Sequence, residues 1–369
     1  MRLVYLANAR IPSRAAHSVH VMKMCQAFAR LGHNVTLVTP DYPDLEAGVA
    51  DPFAFYGVEE CFVIDRLPVP SGRLQRRSLL RYETLVRRFV HSRRPDVVYA
   101  RCHGLGVFHP GHLDVPLIFE AHLLHRHSKQ LDAVLANRQL RHLVVISQQL
   151  REDYQVAYDI PDERIRVAPD AADEPRDNVP CPVCKRDRVN IGYVGQLHQG
   201  KGVELILQLA AMSPWADFHI VGGSDADIQS VRSAIDHQGL DNVVLYGFRP
   251  PQETDAFRAG CDILIAPYQR AAYAAGNSID IARWMSPLKL AEYMAARKPI
   301  VVSDLPVLRE MVEHRVSGWL CQPDCPEEWA QTLRTISEDH ALRQRLAAGA
   351  YEAFQKRFTW SQRANVVLA

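Results

Sequence analysis

Short apolar runs alternate with amphipathic stretches along nearly the whole chain, and this alternation limits the available folds more than any other feature. Leu3–Ala7 is an apolar run, and the stretch after it carries apolar side chains at helical spacing from Val21 to Phe28. Gly32 suits the end of that helix, and Val35–Val38 follows as the next apolar run. Apolar strands joined by helices are typical of parallel sheets buried on both faces. The pattern predicts an α/β fold with Rossmann-like, doubly wound sheets.

The apolar runs fall into two series, separated by a segment without periodicity. Residues from Pro169 to Arg188 include four prolines and several charges. A chain of 369 residues is also longer than one hydrophobic core usually supports. The sequence therefore predicts two doubly wound domains, 1–175 and 176–369, that face each other across a cleft. The runs that predict the remaining strands are Val97–Ala100, Leu117–Phe119, Leu143–Ile146, Asn190–Val194, Phe218–Val221, Val243–Leu245, Ile263–Ala266 and Ile300–Val302.

Composition excludes several classes of protein. A formal net charge of +1 gives no overall electrostatic attraction to nucleic acid, so no nucleic-acid partner is expected. The run at Met1–Ala7 is too short for a secretory leader, and no apolar run approaches the ~20 residues of a membrane-spanning helix. The eight cysteines are scattered. These features favour a cytoplasmic protein with free thiols.

A glycine-rich loop after the Asn190–Val194 strand is suited to phosphate binding. Gly195–Gly202 lies between that strand and a helix expected from about Val203. Glycines let backbone amides approach an anion, a helix N-terminus adds a positive dipole, and Lys201 adds a full charge. The spacing nearly matches a P-loop, but Gly202 stands where that motif has the Ser or Thr that binds Mg²⁺. The alternative is a strand–helix turn with an incidental lysine.

A second segment, Ser286–Glu292, also has features of a phosphate site. Ser286 is a preferred N-cap and Pro287 is preferred at the first helical position, so a helix is expected to begin here. Its free amide groups, near Leu288 and Lys289, would face a ligand. Glu292 lies about one and a half turns further on, where its carboxylate can accept hydrogen bonds from a ribose diol. A capped surface helix with solvated side chains is the alternative interpretation.

The chain resembles the retaining GT-B glycosyltransferases of family 4, over almost its whole length. The resemblance is strongest in the second half, and it includes the two candidate phosphate segments. The segments that carry it are Leu31–Val35, Phe119–His122, Arg166–Asp173, Gly192–Gly202, Leu245–Phe248, Ala259–Asp262, Ser286–Val301, Ser303–Glu310, Ser317–Leu320 and Phe358–Ala364.

The resemblance implies retaining transfer of a sugar from a UDP- or GDP-sugar to a glycan or lipid-linked acceptor, without a metal or other cofactor. It implies that 1–175 binds the acceptor, that 176–369 binds the nucleotide-sugar donor, and that the last helix, about 358–369, packs back on the first domain. Lys201 would bind the diphosphate, Glu292 the ribose and His122 the transferred sugar, and the departing phosphate would itself take the acceptor proton. The resemblance also assigns Gln196, Gly247, Phe248, Pro287, Leu288 and Lys289 to the donor, and places Ala16 and His17 in the acceptor loop.

Arg101 and an arginine-rich segment are further candidates in the first domain. Arg101 follows a predicted strand at the end where α/β sheets bind ligands, so it contacts the acceptor or forms a surface ion pair. The segment from Arg73 to Arg94 holds eight arginines and one acid, with apolar residues at near-helical spacing. Such a helix binds an anionic membrane surface, at the inner face of the membrane, or is an ordinary helix with a solvated basic face. Both interpretations remain open, and Gly104–Pro110 is another expected acceptor loop.

Other functions remain as alternatives to transfer. Gln196 stands where the family more often has arginine, and Trp284 replaces the first acid of its Glu-x7-Glu pattern, which favours a degenerate nucleotide-sugar binding protein. A P-loop nucleotidase would need Ser or Thr in place of Gly202. A dehydrogenase would need a glycine motif in Asn8–Ser18, which contains no glycine. Three motifs are too incomplete to predict a metal site: Asp225–Asp227, Cys181–Cys184 and the histidines at 122, 125 and 127.

Overall fold

The computed structural model divides the chain into two compact units. The first unit comprises Met1–Pro169 and Trp360–Ala369, and the second comprises Asp170–Thr359. The structure describes residues 1–42, 45–68, 75–101, 113–124, 126, 128–176, 182–183, 188–273 and 280–369.

The first unit is built on a seven-stranded parallel sheet in the order β3-β2-β1-β4-β5-β6-β7. Its strands are β1 (Arg2–Ala7), β2 (Asn34–Asp41), β3 (Val63–Pro68), β4 (Val97–Arg101), β5 (Leu117–Ala121), β6 (Leu140–Val145) and β7 (Ile165–Val167). The helices between them are α1 (Ala16–Arg30), α2 (Pro52–Tyr56), α3 (Gln75–Arg93), α4 (Lys129–Leu135) and α5 (Gln148–Tyr158).

The centre of this sheet is buried on both faces, as the apolar runs predict. Tyr5 of β1 and Tyr99 of β4 are fully buried, with ring centroids 4.7 Å apart, and Phe28 of α1 packs 5.3 Å from Tyr99. Helix α1 ends where predicted, because Gly32 takes a left-handed conformation (φ 83°) that reverses the chain into β2.

The second unit has a six-stranded parallel sheet in the order β10-β9-β8-β11-β12-β13. Its strands are β8 (Val189–Val194), β9 (Ala216–Val221), β10 (Val243–Gly247), β11 (Ile263–Ala266), β12 (Ile300–Ser303) and β13 (Trp319–Cys321). Its helices are α6 (Val203–Met212), α7 (Asp225–Gln238), α8 (Thr254–Gly260), α9 (Leu288–Ala295), α10 (Pro326–Glu338) and α11 (His340–Arg357). The final helix, α12 (Trp360–Leu368), belongs to the first unit, where it packs against α1.

The predicted α/β fold with two doubly wound sheets is confirmed. In each sheet the strand order reverses at one point, between β1 and β4 in the first unit and between β8 and β11 in the second. Ligands of open α/β sheets bind outside the carboxyl ends of the strands at such a reversal. The loops that follow these four strands are therefore where a site is expected. Among the described helices, each one is too short or too polar to cross a bilayer.

Candidate functional site

The loop after β8 requires glycine at position 202, where a P-loop has serine or threonine. Gly202 has φ 85°, and a Cβ there would lie 1.8 Å from the carbonyl oxygen of Pro267. Gly200 has φ 82°, and its Cβ would lie 2.1 Å from the carbonyl oxygen of Ala271. Both contacts pack the loop against the chain that leaves β11. A serine or threonine at 202 therefore does not fit, and the loop has no Mg²⁺-binding hydroxyl there.

Two lysines converge on the aromatic side chains at this sheet reversal. The Nζ atoms of Lys201 and Lys289 lie 5.0 and 5.1 Å from the ring centroid of Tyr268. The Nζ of Lys289 also lies 3.9 Å from the ring centroid of Tyr193 and donates a 2.7 Å hydrogen bond to its hydroxyl. A Cβ on Gly195 would approach the Nζ of Lys289 to 2.6 Å, so this glycine leaves room for the ammonium group. We call Lys201 and Lys289 the lysine pair.

The lysine pair forms a buried cationic centre. Burial lowers the pKa of Lys201 to about 8. Burial, and then the charge of Lys201, lower the pKa of Lys289 well below its ordinary range, although Glu292 acts in the opposite direction. Among the residues that the structure describes, no carboxylate oxygen lies within 4.0 Å of either ammonium group. Two desolvated cations without a neutralising partner are costly, and an anionic ligand would offset that cost.

Helix α9 begins one residue later than the sequence predicts. Pro287, at the N-cap, has no capping side chain, and Leu288 is the first helical residue. The prediction that Ser286 caps this helix is wrong, because its buried hydroxyl accepts a 2.8 Å hydrogen bond from the backbone amide of Asp170 instead. The amide groups of Leu288 and Lys289 belong to the first turn, where a helix has no partners of its own for them.

Glu292 is held by an arginine that the sequence analysis did not identify. Its Oε2 accepts a 3.1 Å hydrogen bond from Nη1 of Arg258, and Nη2 of Arg258 pairs with Asp255. Arg258 is buried, whereas the Glu292 side chain is 27% exposed. The pair joins positions 34 residues apart, so no local spacing rule reveals it. The arrangement fixes one carboxylate oxygen of Glu292 at the surface of the unit.

The other predicted donor residues lie at neighbouring strand ends. The backbone oxygen of Gln196 accepts a 2.5 Å hydrogen bond from the Tyr193 hydroxyl, within the loop that contains Lys201. Gly247 ends β10 with φ 69°, and its carbonyl accepts from the amide of Gly222 at 2.8 Å. Phe248 follows directly. These residues share the carboxyl edge of the sheet with the lysine pair.

The reversal in the first unit also gathers predicted residues. Ala16 begins α1 and is exposed, with the half-buried His17 next to it. Burial, and then the charge of Arg101 and the neighbouring imidazole of His122, hold the pKa of His17 well below its usual value. Nη2 of Arg101, at the end of β4, lies 2.9 Å from Nδ1 of His122.

His122 is part of a buried charged group. Its Nε2 makes a short hydrogen bond with Oε1 of Glu120 in β5. The same oxygen accepts from Nη2 of Arg363 in α12 at 2.9 Å and lies 3.2 Å from Nε2 of His20. We call these four residues the Glu120 cluster. Both ring nitrogens of His122 are therefore engaged, one by Glu120 and the other by Arg101.

Several candidate features have other roles or lie outside the described part of the chain. Asp227 forms a capping box with Ser224 at the start of α7, so its carboxylate has a structural role in the first turn of that helix. In α3, Tyr82, Val86 and Val90 are buried, whereas residues 87 and 88 are exposed arginines. The helix is thus amphipathic, with a basic outer face. The cysteines at 181 and 184, the histidines at 125 and 127, and the loop 104–110 lie outside the described residues.

Comparison with known families assigns both halves of the chain to glycosyltransferase models. Residues 184–353 match the model described as glycosyl transferases group 1. Residues 17–176 match the model described as glycosyltransferase family 4.

Curated relatives match in part. The amylovoran biosynthesis glycosyltransferase AmsK of Erwinia amylovora is 28% identical over 223 residues, which are 59% of this chain and 51% of AmsK. The D-inositol 3-phosphate glycosyltransferase of Xylanimonas cellulosilytica is 27% identical over 247 residues, which are 61% of this chain and 55% of the relative. The chain thus spans about half the length of these relatives.

Solved structures match over the full length. HepE of Anabaena, in complex with UDP and glucose, has a TM-score of 0.74 at 18% identity, and the match covers 100% of this chain and 98% of HepE. The lipopolysaccharide biosynthesis glycosyltransferase WaaG has a TM-score of 0.66 at 16% identity, covering 99% of this chain and 98% of WaaG. At such low identity the structures support a shared fold.

Proposed function

This chain belongs to the group 1, family 4 glycosyltransferases with the GT-B fold, and we propose that it transfers a sugar from a nucleotide diphosphate to an acceptor. The proposed donor is a UDP- or GDP-sugar, and the proposed acceptor is a glycan or a lipid-linked sugar. Transfer is proposed to retain the anomeric configuration and to need no metal ion.

The lysine pair is the observation that carries this proposal. The ammonium groups of the buried Lys289 and the half-buried Lys201, without a carboxylate within 4.0 Å among the described residues, call for a ligand with at least two negative charges close together. A diphosphate carries that charge on two adjacent phosphate groups. The first turn of α9 lies at the same strand ends, and its amide groups would bind the same anion. Positive charge from protein groups would then take the place of a metal ion.

Neighbouring residues are proposed to bind the ribose and the base of the nucleotide. Glu292, held by Arg258 through one oxygen, is proposed to accept hydrogen bonds from the ribose hydroxyls. Gly247 and Phe248 are proposed to lie beside the base. The complex of HepE of Anabaena with UDP-glucose supports a nucleotide-sugar donor for a chain of this fold.

The chemistry follows from the leaving group. As the bond between the anomeric carbon and the β-phosphate oxygen breaks, negative charge grows on that oxygen. Lys201 and Lys289 would stabilise this charge more strongly in the transition state than in the ground state, which is the requirement for catalysis. We propose that the departing phosphate then takes the acceptor proton, so that retention needs no protein base. His122, which the resemblance assigns to the transferred sugar, lies in the first unit.

The acceptor class is proposed from the names of two relatives and from the basic face of α3. AmsK is named for amylovoran biosynthesis, and a second relative, TuaH of Bacillus subtilis, is named as a putative teichuronic acid biosynthesis enzyme. Both names support a polysaccharide intermediate as the acceptor class. Such intermediates are often lipid-linked, and the exposed basic face of α3 would let the chain dock on the anionic cytoplasmic leaflet.

The decisive experiment measures donor turnover in EDTA. The purified chain is incubated with UDP-glucose, UDP-galactose, UDP-N-acetylglucosamine and GDP-mannose, with and without a lipid extract, and released nucleoside diphosphate is measured. We expect one donor to be turned over without metal and faster with the extract. If the Lys201→Met variant released nucleotide at the wild-type rate, the assignment of Lys201 to the donor site would be wrong.

Trp284 and Gln196 favour one other function, a nucleotide-sugar binding protein without catalysis, because they depart from the family pattern at two donor positions. The same experiment separates the two. If one donor bound tightly but was not turned over under any condition, the result would support a nucleotide-sugar binding protein and contradict the proposed transferase.

A further inference from the structure

The Glu120 cluster places a charged carboxylate in the interior of the first unit. The side chains of Glu120 and Arg363 are 0% and 1% exposed, and their ion pair measures 2.9 Å. Nε of Arg363 also donates to the backbone oxygen of Pro169 at 3.0 Å. Arg363 comes from the C-terminal helix, 243 residues away along the chain. A buried pair of this kind is not favoured merely for stability, since well-packed apolar residues often serve as well.

Electrostatics keep the carboxylate ionised. Burial opposes the charged form of Glu120, but the charge of Arg363, and then the neighbouring imidazoles of His20 and His122, hold its pKa well below the ordinary value. An ionised carboxylate can only accept hydrogen bonds. The short contact with Nε2 of His122 is therefore one in which the histidine donates.

The other side of the His122 ring confirms this assignment of its proton. Nη2 of Arg101 lies 2.9 Å from Nδ1 of His122, and a guanidinium has only donors. Nδ1 is therefore the acceptor, and the ring proton is on Nε2. His122 is a neutral imidazole with its proton directed at Glu120 and its lone pair directed at Arg101.

We propose that Glu120 and Arg363 are positioning residues that fix the tautomer of His122, and that His122 in turn orients Arg101, which makes the charged contact with the substrate. The half-buried guanidinium lies at the carboxyl end of β4, beside the strand-order reversal, where ligands of such sheets bind. The substrate class for this contact is an oxygen-rich anion or sugar. The catalytic part of this inference rests on the proposed function, whereas the tautomer does not.

A metal ion is the competing explanation of the same geometry. The ligand atoms of His20, Glu120 and His122 lie within 4.8 Å of one another. However, Arg363 already neutralises the carboxylate, and Arg101 brings a second positive charge next to His122. A divalent cation would have to enter beside two guanidinium groups, so the charges favour the hydrogen-bonded cluster over a metal.

The tautomer is tested in the free protein by long-range ¹H–¹⁵N NMR of the full chain with ¹⁵N-labelled histidine, assigned with His122→Asn. We expect a neutral His122 with its ring proton on Nε2 at pH 7. Glu120→Asp keeps the ion pair but shortens the side chain, and should give a mixture of tautomers. If this variant unfolds, Glu120→Gln combined with Arg363→Met removes both charges and gives the same readout. Asn365→Met is the matched control on the exposed face of α12.

Three results would overturn the proposal. The first is that wild-type His122 is protonated at Nδ1 or is charged at pH 7. The second is that the tautomer is unchanged in both Glu120 variants. The third is that elemental analysis finds stoichiometric metal in the purified chain. None of them depends on activity, so they are distinct from a failure of the proposed function.

Kinetics with the donor found in the turnover screen test the role of Arg101. In His122→Asn the amide oxygen is as far from Cβ as Nδ1 is, so it can still accept from Arg101, whereas Gln places its amide one bond further out. We expect His122→Asn to keep kcat within about 10-fold of wild type, and His122→Gln and Arg101→Met to lose ~100-fold in kcat with a smaller change in KM. Equal losses in both His122 variants would mean that His122 itself contacts substrate.

Discussion

Replacement of Lys201 by methionine should weaken nucleotide binding while making the free protein more stable. The pKa of this lysine falls from 10.5 to about 8, because the side chain is largely removed from water. Each unit of pKa corresponds to ~1.4 kcal/mol, so holding the charge in the free protein costs on the order of 3 kcal/mol, which is an upper limit for a partly exposed side chain. Methionine has a similar length and can pack on Tyr268 without that cost.

The same substitution removes a charged contact with the donor. Hydrogen bonds to charged groups are worth about 1.5–3 kcal/mol, which corresponds to a roughly 10- to 150-fold weaker binding of the nucleoside diphosphate. We expect Tm of the free protein to rise by several degrees, since 1 kcal/mol shifts Tm by about 2–4 °C in a domain of this size.

The assay combines thermal unfolding of the free protein with calorimetric titration of UDP and GDP in EDTA. Lys356→Met is the matched control, because it removes a 69% exposed lysine from a surface pair and should change neither quantity. A Lys201→Met protein that loses stability but binds the nucleotide as well as wild type would refute the reasoning, since that result is typical of a structural lysine.

Three further predictions follow from the same structure. Gly202→Ser should lower Tm by several degrees and should not create an Mg²⁺-dependent ATPase, because its Cβ would lie 1.8 Å from the Pro267 carbonyl oxygen; a folded, ATP-hydrolysing variant would contradict this. Nucleotide affinity should be constant from about pH 7 to 8 and fall above that, by up to tenfold per pH unit. The anion binds the protonated form of Lys201, whose pKa in the free protein is about 8, so deprotonation of this lysine weakens binding. The affinity is measured by calorimetry, and an affinity that rises with pH would contradict this role of Lys201. Arg87→Glu with Arg88→Glu should reduce sedimentation with anionic vesicles several-fold without changing nucleotide affinity, and equal sedimentation would remove α3 as a docking surface.

The positions of many strands and of the candidate phosphate loop could be predicted, because local signals determine them. Apolar runs of four to six residues mark buried parallel strands, and the Gly195–Gly202 loop follows one of them directly. The structure confirms the two doubly wound sheets. It also gives the reason for the departure from a P-loop at Gly202, which is a steric contact with the chain after β11 that no sequence motif records.

The partners of the candidate site residues could not be predicted, because tertiary contacts determine them. Lys289 bonds to the Tyr193 hydroxyl across 96 residues, and Glu120 pairs with Arg363 across 243 residues. The start of α9 shows the same effect on a smaller scale. Ser286 has the intrinsic preference for an N-cap, but its hydroxyl accepts from the Asp170 amide in the folded chain, and the helix begins at Leu288.

The central proposal is that the lysine pair binds a nucleoside diphosphate without a metal. The most direct test is calorimetric titration of UDP and GDP into the wild-type chain, in EDTA and then in excess Mg²⁺. We expect one of them to bind equally well in both conditions. No binding in EDTA, with binding restored by Mg²⁺, would contradict the claim that Lys201 and Lys289 neutralise the diphosphate.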